Sequence, residues 1–449
     1  MPLPRAAHTL VVLTLLLVAC GQRTPPPVPT SAAGVASPGA ATAVRAPGRI
    51  SFMVFGDPAE LAAYQTLVAT YEAQHPGQQV ELVHIPDQAE YRKRLAVDFA
   101  AGTPADVVLI NYRRYAGFAA KGLLEPLGPY LDASTVIAEG DFFPQALEPF
   151  HFERQVMCVP QNISSLVIYY NKDLFDQAGV PYPSDRWTWD DFLATALALT
   201  RDTDGDGQTD QYGLGIEPSM QRVLPFIWQS RGVVVDDVAR PHSLELNNPR
   251  TLKAIQWFVD LQTVHHVAPS AEAEAAERGE DRFLNGRLGM FANSRRGVPT
   301  YRTITGFDWD VAPLPMNRGR QSNILHADAY CLASAAPNKP AAWQFIEFAN
   351  SPAGQTIVAR SGRTVPSLIE IANSPAFLDP AAKPAHSQVF LDTIKNLHAV
   401  PILENWADIE EITSDEIERA FYGYATVAEI AQAANLRTEE YFNITAAAR

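Results

Sequence analysis

Five consecutive segments between Arg49 and Ile110 switch between an extended and a helical hydrophobic pattern, and that alternation limits the fold more than any other feature. RISFMVF (Arg49–Phe55) reads as a strand. AELAAYQTLVATYEAQHPG follows, with Leu61, Tyr64, Leu67, Val68 and Tyr71 at helical spacing and Pro76-Gly77 to stop it. QQVELVHI is a second strand, and QAEYRKRLAVDFAAG a second helix with Tyr91, Leu95 and Phe99 on one face. ADVVLI is apolar throughout, as a central strand would be. This βαβαβ order predicts an α/β fold with parallel strands and right-handed crossovers. Ligands of such sheets sit beyond the carboxyl ends of the strands. Here those ends are Phe55-Gly56-Asp57 and Asn111-Tyr112. Gly56 lets a backbone approach closely, and Asp57, Asn111 and Tyr112 offer hydrogen-bonding groups. Ordinary loop polarity would account for the same residues.

The middle of the chain is also mixed. VMCVP and SSLVIYYN read as strands. WTWDDFLATALALT reads as an amphipathic helix capped by Thr188, with Asp190 and Asp191 in its first turn. Helical periodicity dominates toward the C-terminus, in KPAAWQFIEFANS and EEITSDEIERAFYG. TVAEIAQAANL opens on a capping box from Thr426 to Glu429. There are no internal repeats.

The N-terminus reads as a targeting segment. Arg5 and His8 precede the apolar run Thr9–Val18, which is too short to span a bilayer. It ends in Leu17-Val18-Ala19-Cys20, a lipobox pattern. The expectation is a signal peptide over 1–19, cleavage before Cys20, and a diacylglycerol on its sulfur. The mature protein would then be held at the extracytoplasmic face of the cell membrane. Residues 20–48 are rich in Pro and Ala and read as a disordered tether. The chain carries 35 basic and 50 acidic residues without Lys/Arg runs, which argues against nucleic acid as a partner. Cys158 and Cys331 both lie in strand-like stretches and are compatible with a disulfide or with two buried thiols.

The local patterns, taken in order, resemble one known family. The carrying stretches are YEAQHPGQQVELVHI, LAVDFAAGTPADVVLI, VPQNISSLVIYYNKDLFDQAGV, WTWDDFLATALALT, FLNGRLGMFANSRRG and AWQFIEFANSPAGQTIVARSGRTVPS. Together they resemble the extracellular solute-binding proteins of bacterial ABC importers, the group that includes the maltose and glycerol-3-phosphate binding proteins. The resemblance runs from about residue 49 to the C-terminus. It implies a two-lobed periplasmic-binding-protein fold (type II), with hinge strands joining the lobes and the ligand cleft between them. The lobes it implies are 49–160 plus 317–365 and 161–316 plus 366–449. It further implies a monomer without catalytic residues, a carbohydrate ligand held by closure of the lobes, and recognition of the closed form by ABC permease subunits.

The resemblance places certain loops at the cleft. They carry Gly56, Asp57, Asn111 and Tyr112 in one lobe, Asn162 after a hinge strand, and Glu217 and Trp228 in the other lobe. Asn293, Ser294 and Arg295 follow GMF; His326, Ala327 and Asp328 precede AYCLAS, where the family often has two glycines; Arg363 lies in the SGRTVPS loop. The family's tryptophan in the first strand-loop is replaced by MVFGDP, which removes one stacking platform. Trp187 and Trp189 read as packing residues. Arg295 and Arg363 together would suit a phosphate or sugar acid, and paired acids a polyamine. A secreted carbohydrate-active enzyme is the competing class, but GxSxG, HExxH, GxGxxG and Walker A patterns are all missing from the sequence.

DTDGDGQTD sets Asp202, Asp204 and Asp206 at positions one, three and five of an EF-hand-like loop. Gly207 takes the sharp turn, the Gln208 carbonyl falls at seven, and Asp210 at nine. Position twelve is Gly213 rather than a bidentate Glu, and the loop leads into a strand-like QYGLGI. The expectation is a structural Ca²⁺ that stiffens one lobe and does not signal. A solvated acidic turn is the plainer reading.

Overall fold

The structure is a computed structural model and describes residues 48–447. The expected signal segment, Cys20 and the tether up to residue 47 lie outside those residues. Two sheets organise the chain. The first has five strands in the order Gln79–Ile85, Arg49–Phe55, Val107–Asn111, Asp328–Leu332 and Cys158–Pro160. Its first three run parallel, with the helices Pro58–Gln74 and Gln88–Ala100 as crossovers, so the alternation at the start of the chain forms the sheet it predicts. Val107–Asn111 is central, in keeping with its unbroken apolar run. Asp328–Leu332 pairs with it antiparallel and carries Cys158–Pro160 on its far side.

The second sheet has the order Trp309–Ala312, Leu166–Asn171, Leu288–Ser294 and Tyr212–Gly215. The helix Trp189–Leu199 begins at Thr188, whose hydroxyl accepts from the Asp191 amide while the Asp191 carboxylate accepts from the Thr188 amide. The same reciprocal cap joins Thr426 and Glu429 at the start of the helix Val427–Ala447. Trp189 lies stacked on Trp257 with centroids 4.1 Å apart, and the Trp187 indole donates to the Pro313 carbonyl, so both pack as expected. Trp406 is fully buried.

Three extended segments pass between the sheets side by side. The Ile163 amide donates to Val365, the amides of Ser164 and His326 exchange bonds with each other's carbonyls, and the Gln161 amide donates to Asp328. Buried Gln355 braces the junction by donating to the Gln161 carbonyl at 3.0 Å and to Ser367 Oγ at 2.8 Å. Cys158 and Cys331 face each other in register, with Cα atoms 4.5 Å apart, and form a disulfide that spans a sequence separation of 173. The sequence leaves open whether these thiols pair; the strand register brings them together. Replacing both cysteines with alanine is expected to cost about 2–5 kcal/mol, because the bond closes a long loop of the unfolded chain. The measurement is a denaturant midpoint; an unchanged midpoint would show that the bridge adds nothing.

Candidate functional site

The carboxyl ends of the first sheet face the helix Trp406–Phe421 of the second lobe across a cavity of about 450 Å³. Phe55, Tyr91 and Leu95 give it an apolar wall. Asn111, Arg92, Arg113 and Arg114 give it a polar rim, faced by Glu404 just before that helix and by Asp408 in its first turn. An apolar wall with a few converging polar groups is the usual make-up of a small-ligand site.

One flank of the cleft is acidic and lies on the first sheet. Asp57 caps the helix Pro58–Gln74 by accepting from the Glu60 amide at 2.9 Å. The same residue holds Arg363, whose Nη1 lies 2.6 Å from Asp57 Oδ2 and whose Nε lies 2.6 Å from Glu60 Oε2. Burial raises Glu60 to about 7 even though Arg363 pulls it down. Asp328 Oδ1 accepts from Asn111 Nδ2 at 3.0 Å, and the Asp328 amide donates to Asn162 Oδ1 at 3.1 Å. Asn111, Asn162 and Asp328 are thereby brought into one cluster.

The other flank is rich in donors. Arg113, two residues beyond Asn111, is 8% exposed, and its Nε and Nη1 have no hydrogen-bond partner. Its nearest carboxylate is Glu410 Oε2 at 3.5 Å, on the opposing lobe. Arg222 reaches Glu217 at 3.2 Å but leaves its own Nε unpartnered. Ser219 Oγ and His326 Nε2 are also buried without partners. Burial and the neighbouring Arg92 bring Arg114 down to about 10.

Several expected contacts lie elsewhere. Tyr112 is fully buried, and its hydroxyl accepts from the Val400 amide, so it packs the core. Arg295 is 1% exposed; it donates to the Gly362 carbonyl and Ser387 Oγ between the rings of Phe377 and Phe390, so it cannot meet an anion in the cleft. Asn293 is used by the Tyr301 hydroxyl and the Ser294 amide, and the Ser294 carbonyl by the Tyr169 hydroxyl. Gly56, at φ +129°, makes room for Glu60 rather than for a ligand: an added Cβ would lie 1.5 Å from the Glu60 carboxylate. The Trp228 face is taken by His398, with centroids 4.9 Å apart. Arg363 is committed to its two carboxylates, and Glu217 is exposed beside Arg222.

Residues the sequence reading missed are Glu60, Arg113, Ser219, Arg222 and Glu410. Arg113 was open to view, since it shares the strand-end loop with Asn111.

On the second lobe, the loop before Tyr212–Gly215 brings carboxylate oxygens of Asp202, Asp204 and Asp210 within 4.8 Å of one another. Gly205 and Gly207 take left-handed φ of +82° and +90°. Their amides both donate to Asp202, and Asp210 accepts from Thr203. Asp206 is turned to hold the Gln208 amide and lies outside that trio.

Two sheets joined by three crossings, with polar side chains of both lobes meeting at the strand ends, define a two-lobed binding protein. The family model for bacterial extracellular solute-binding protein matches residues 56–356, and the chain belongs to that family. A Brucella abortus relative is 22% identical over 363 residues, covering 80% of this chain and 85% of its own. An ABC substrate-binding protein of Listeria monocytogenes, solved with cycloalternan, superposes with a TM-score of 0.80 at 24% identity, covering 89% of this chain and 99% of its own. The maltose-bound MalE3 of Thermotoga maritima gives 0.74 at 23% identity, covering 87% and 99%.

Glu60 yields a pH prediction. Its folded value, near 7, lies above the ordinary 4.5, so the fold favours the protonated form. That contribution is complete below about 4.5 and is lost as pH rises through 7. Glu60→Gln is expected to flatten the fall in melting temperature between pH 5 and 7. An identical slope in wild type and variant would refute the assignment.

Proposed function

We propose that this chain is the extracytoplasmic solute-binding component of an ABC importer and that it captures a carbohydrate between its lobes. The observation that carries the reading is the set of buried, unpartnered polar atoms on both sides of one cleft: Arg113 on the first lobe, Arg222 and Glu410 on the second. Unpartnered buried donors and acceptors are costly, and a polar guest that touches both lobes satisfies them only when the lobes are together. Asn111, Asn162 and Asp328 would serve as hydroxyl partners, and Tyr91 and Phe55 as apolar wall. The sugars named in the Listeria and Thermotoga structures, cycloalternan and maltose, agree with this class. Membrane permease subunits would receive the closed form. In this reading the chain carries out no turnover.

Lipidation at Cys20 would hold the protein at the outer face of the cell membrane. Among the described residues, no helix is long and apolar enough to cross a bilayer. Asp202, Asp204 and Asp210 would hold a structural Ca²⁺, with Gly207 making the turn; the close approach of three carboxylate oxygens supports this, because such groups repel without a cation.

Two outcomes are expected. The matching sugar should raise the melting temperature and reduce the scattering radius of gyration; a broad sugar panel that changes neither would refute the carbohydrate reading. Chelation of divalent cations should lower the melting temperature of the wild type but not of Asp204→Ala. If the wild type ignores the chelator, the loop is a plain turn.

A further inference from the structure

We propose that the cleft is built for an acidic ligand: a sugar or polyol bearing a carboxylate or phosphate, with its oxyanion seated between Arg113 and Arg222. This rests on the cleft being the binding site and names the class of guest.

The argument begins with donors that have nothing to donate to. Arg113 is nine-tenths buried, and two of its three guanidinium nitrogens make no hydrogen bond. Glu410, the carboxylate nearest to it, is misplaced for the task. One Glu410 oxygen accepts from Gln221 Nε2 at 2.7 Å, and the other stands 3.5 Å from Arg113 Nε without a hydrogen bond. Gln221 lies in the first turn of the ten-residue helix Met220–Gln229, so Glu410 brings Arg113 to that helix's N-terminus. The capping residue of this helix does not cap it: Ser219, 8% exposed, leaves its hydroxyl unbonded, while Ser414 Oγ accepts from the Met220 amide at 3.1 Å. Arg222, in the same first turn, keeps a free Nε.

The charge count points the same way. Arg113 and Arg296 both add positive charge at Arg222, whereas Arg113 has Glu410 and Arg222 has Glu217 as its carboxylate neighbour. Glu217 is exposed, so its ion pair is screened. The charges felt by buried His326 come from those same three arginines, which, after burial itself, hold its ring neutral. A guanidinium does not escape burial by losing its proton, so the remedy must be an incoming negative group.

A neutral hydroxyl is a poor occupant here. It accepts at most two bonds, carries no charge to offset the guanidinium groups, and brings a proton of its own into a place crowded with donors. A carboxylate or phosphate can accept from both guanidinium groups and from the Ser219 hydroxyl. The hydroxyls of the same ligand would meet the opposite flank, where Asp328, Asn111 and Asn162 offer acceptors and amides. The two flanks thus match a molecule that is anionic at one end and polyhydroxylated at the other.

The test uses purified protein, calorimetry and thermal shift, with three arms at matched ionic strength: glucuronate and galacturonate; glucose 6-phosphate and glycerol 3-phosphate; glucose, galactose and maltose. One acidic arm should bind more tightly than the neutral arm, and the arm that does so tells carboxylate from phosphate. Arg222→Gln should weaken that binding about tenfold to a hundredfold, the size expected for one charged hydrogen-bonding partner. It should leave the unliganded circular dichroism unchanged. Arg113→Gln supplies the same readout should Arg222→Gln fail to fold. Neutral sugars binding more tightly than both acidic arms, or acidic binding that is indifferent to both substitutions, would overturn the acidic assignment and leave the carbohydrate reading standing. No response in any arm would overturn both.

Discussion

Three backbone crossings bonded to one another fix what this molecule can do. Residues near 163, 326 and 365 run as a short ladder between the two sheets, so the lobes cannot drift apart; rotation about the ladder is the motion left to them. The ladder also sets the site. Asn162, His326 and Asp328 belong to the crossing strands or adjoin them. A ligand that bonds to these residues therefore bonds to the hinge itself. Its contacts with Arg222 or Glu410 on the second lobe would depend on the rotation angle, and differential contact of that kind is what couples binding to closure.

The two flanks of the cleft treat charge differently. On the first sheet, Arg363 is locked by Asp57 and Glu60 and is no longer available to a guest. Such a buried pair adds little net stability once desolvation is counted. Its consequence is positional: it pins the strand-end loop at Gly56 to the 361–365 segment that leads into a crossing. On the other flank, Arg113 and Glu410 come from different lobes and approach without completing a hydrogen bond. One flank is held by ion pairs that fix its geometry, while the other keeps its guanidinium donors for something outside the chain.

Hydrophobic period made the fold legible. Tyr64, Leu67 and Tyr71, or Leu95 and Phe99, repeat at the helical interval and lie buried against the sheet. Thr188 and Thr426 announce their helices because a capping box is a local event, closed within four residues. The site was less legible because its partners are distant in sequence. Asp57 lies at a strand end, where a ligand group belongs, yet it caps the next helix and binds Arg363, 306 residues away. Arg295 follows a strand in the same manner, but a segment 67 to 92 residues later closes over it. Glu60 looks like an ordinary first-turn acid favoured by the helix dipole, and only tertiary burial sets it apart. Arg113 is the exception, since its position two residues past the central strand was sufficient to nominate it.

Apart from Gln355 at the junction, the two strongest local ties of this chain lie within single lobes. The Cys158–Cys331 bond ties two neighbouring strands of the first sheet. The acidic loop is closed on itself by Asp202 and Asp210 and by the Arg201–Gln211 bridge, between a helix and an edge strand of the second sheet. Neither brace spans the crossings. Had either joined the sheets across the cleft, rotation would have been blocked, and a guest could no longer gain by drawing the lobes together. Locating both within single lobes keeps each half of the site in fixed geometry, so that closure trades one well-defined arrangement of donors and acceptors for another.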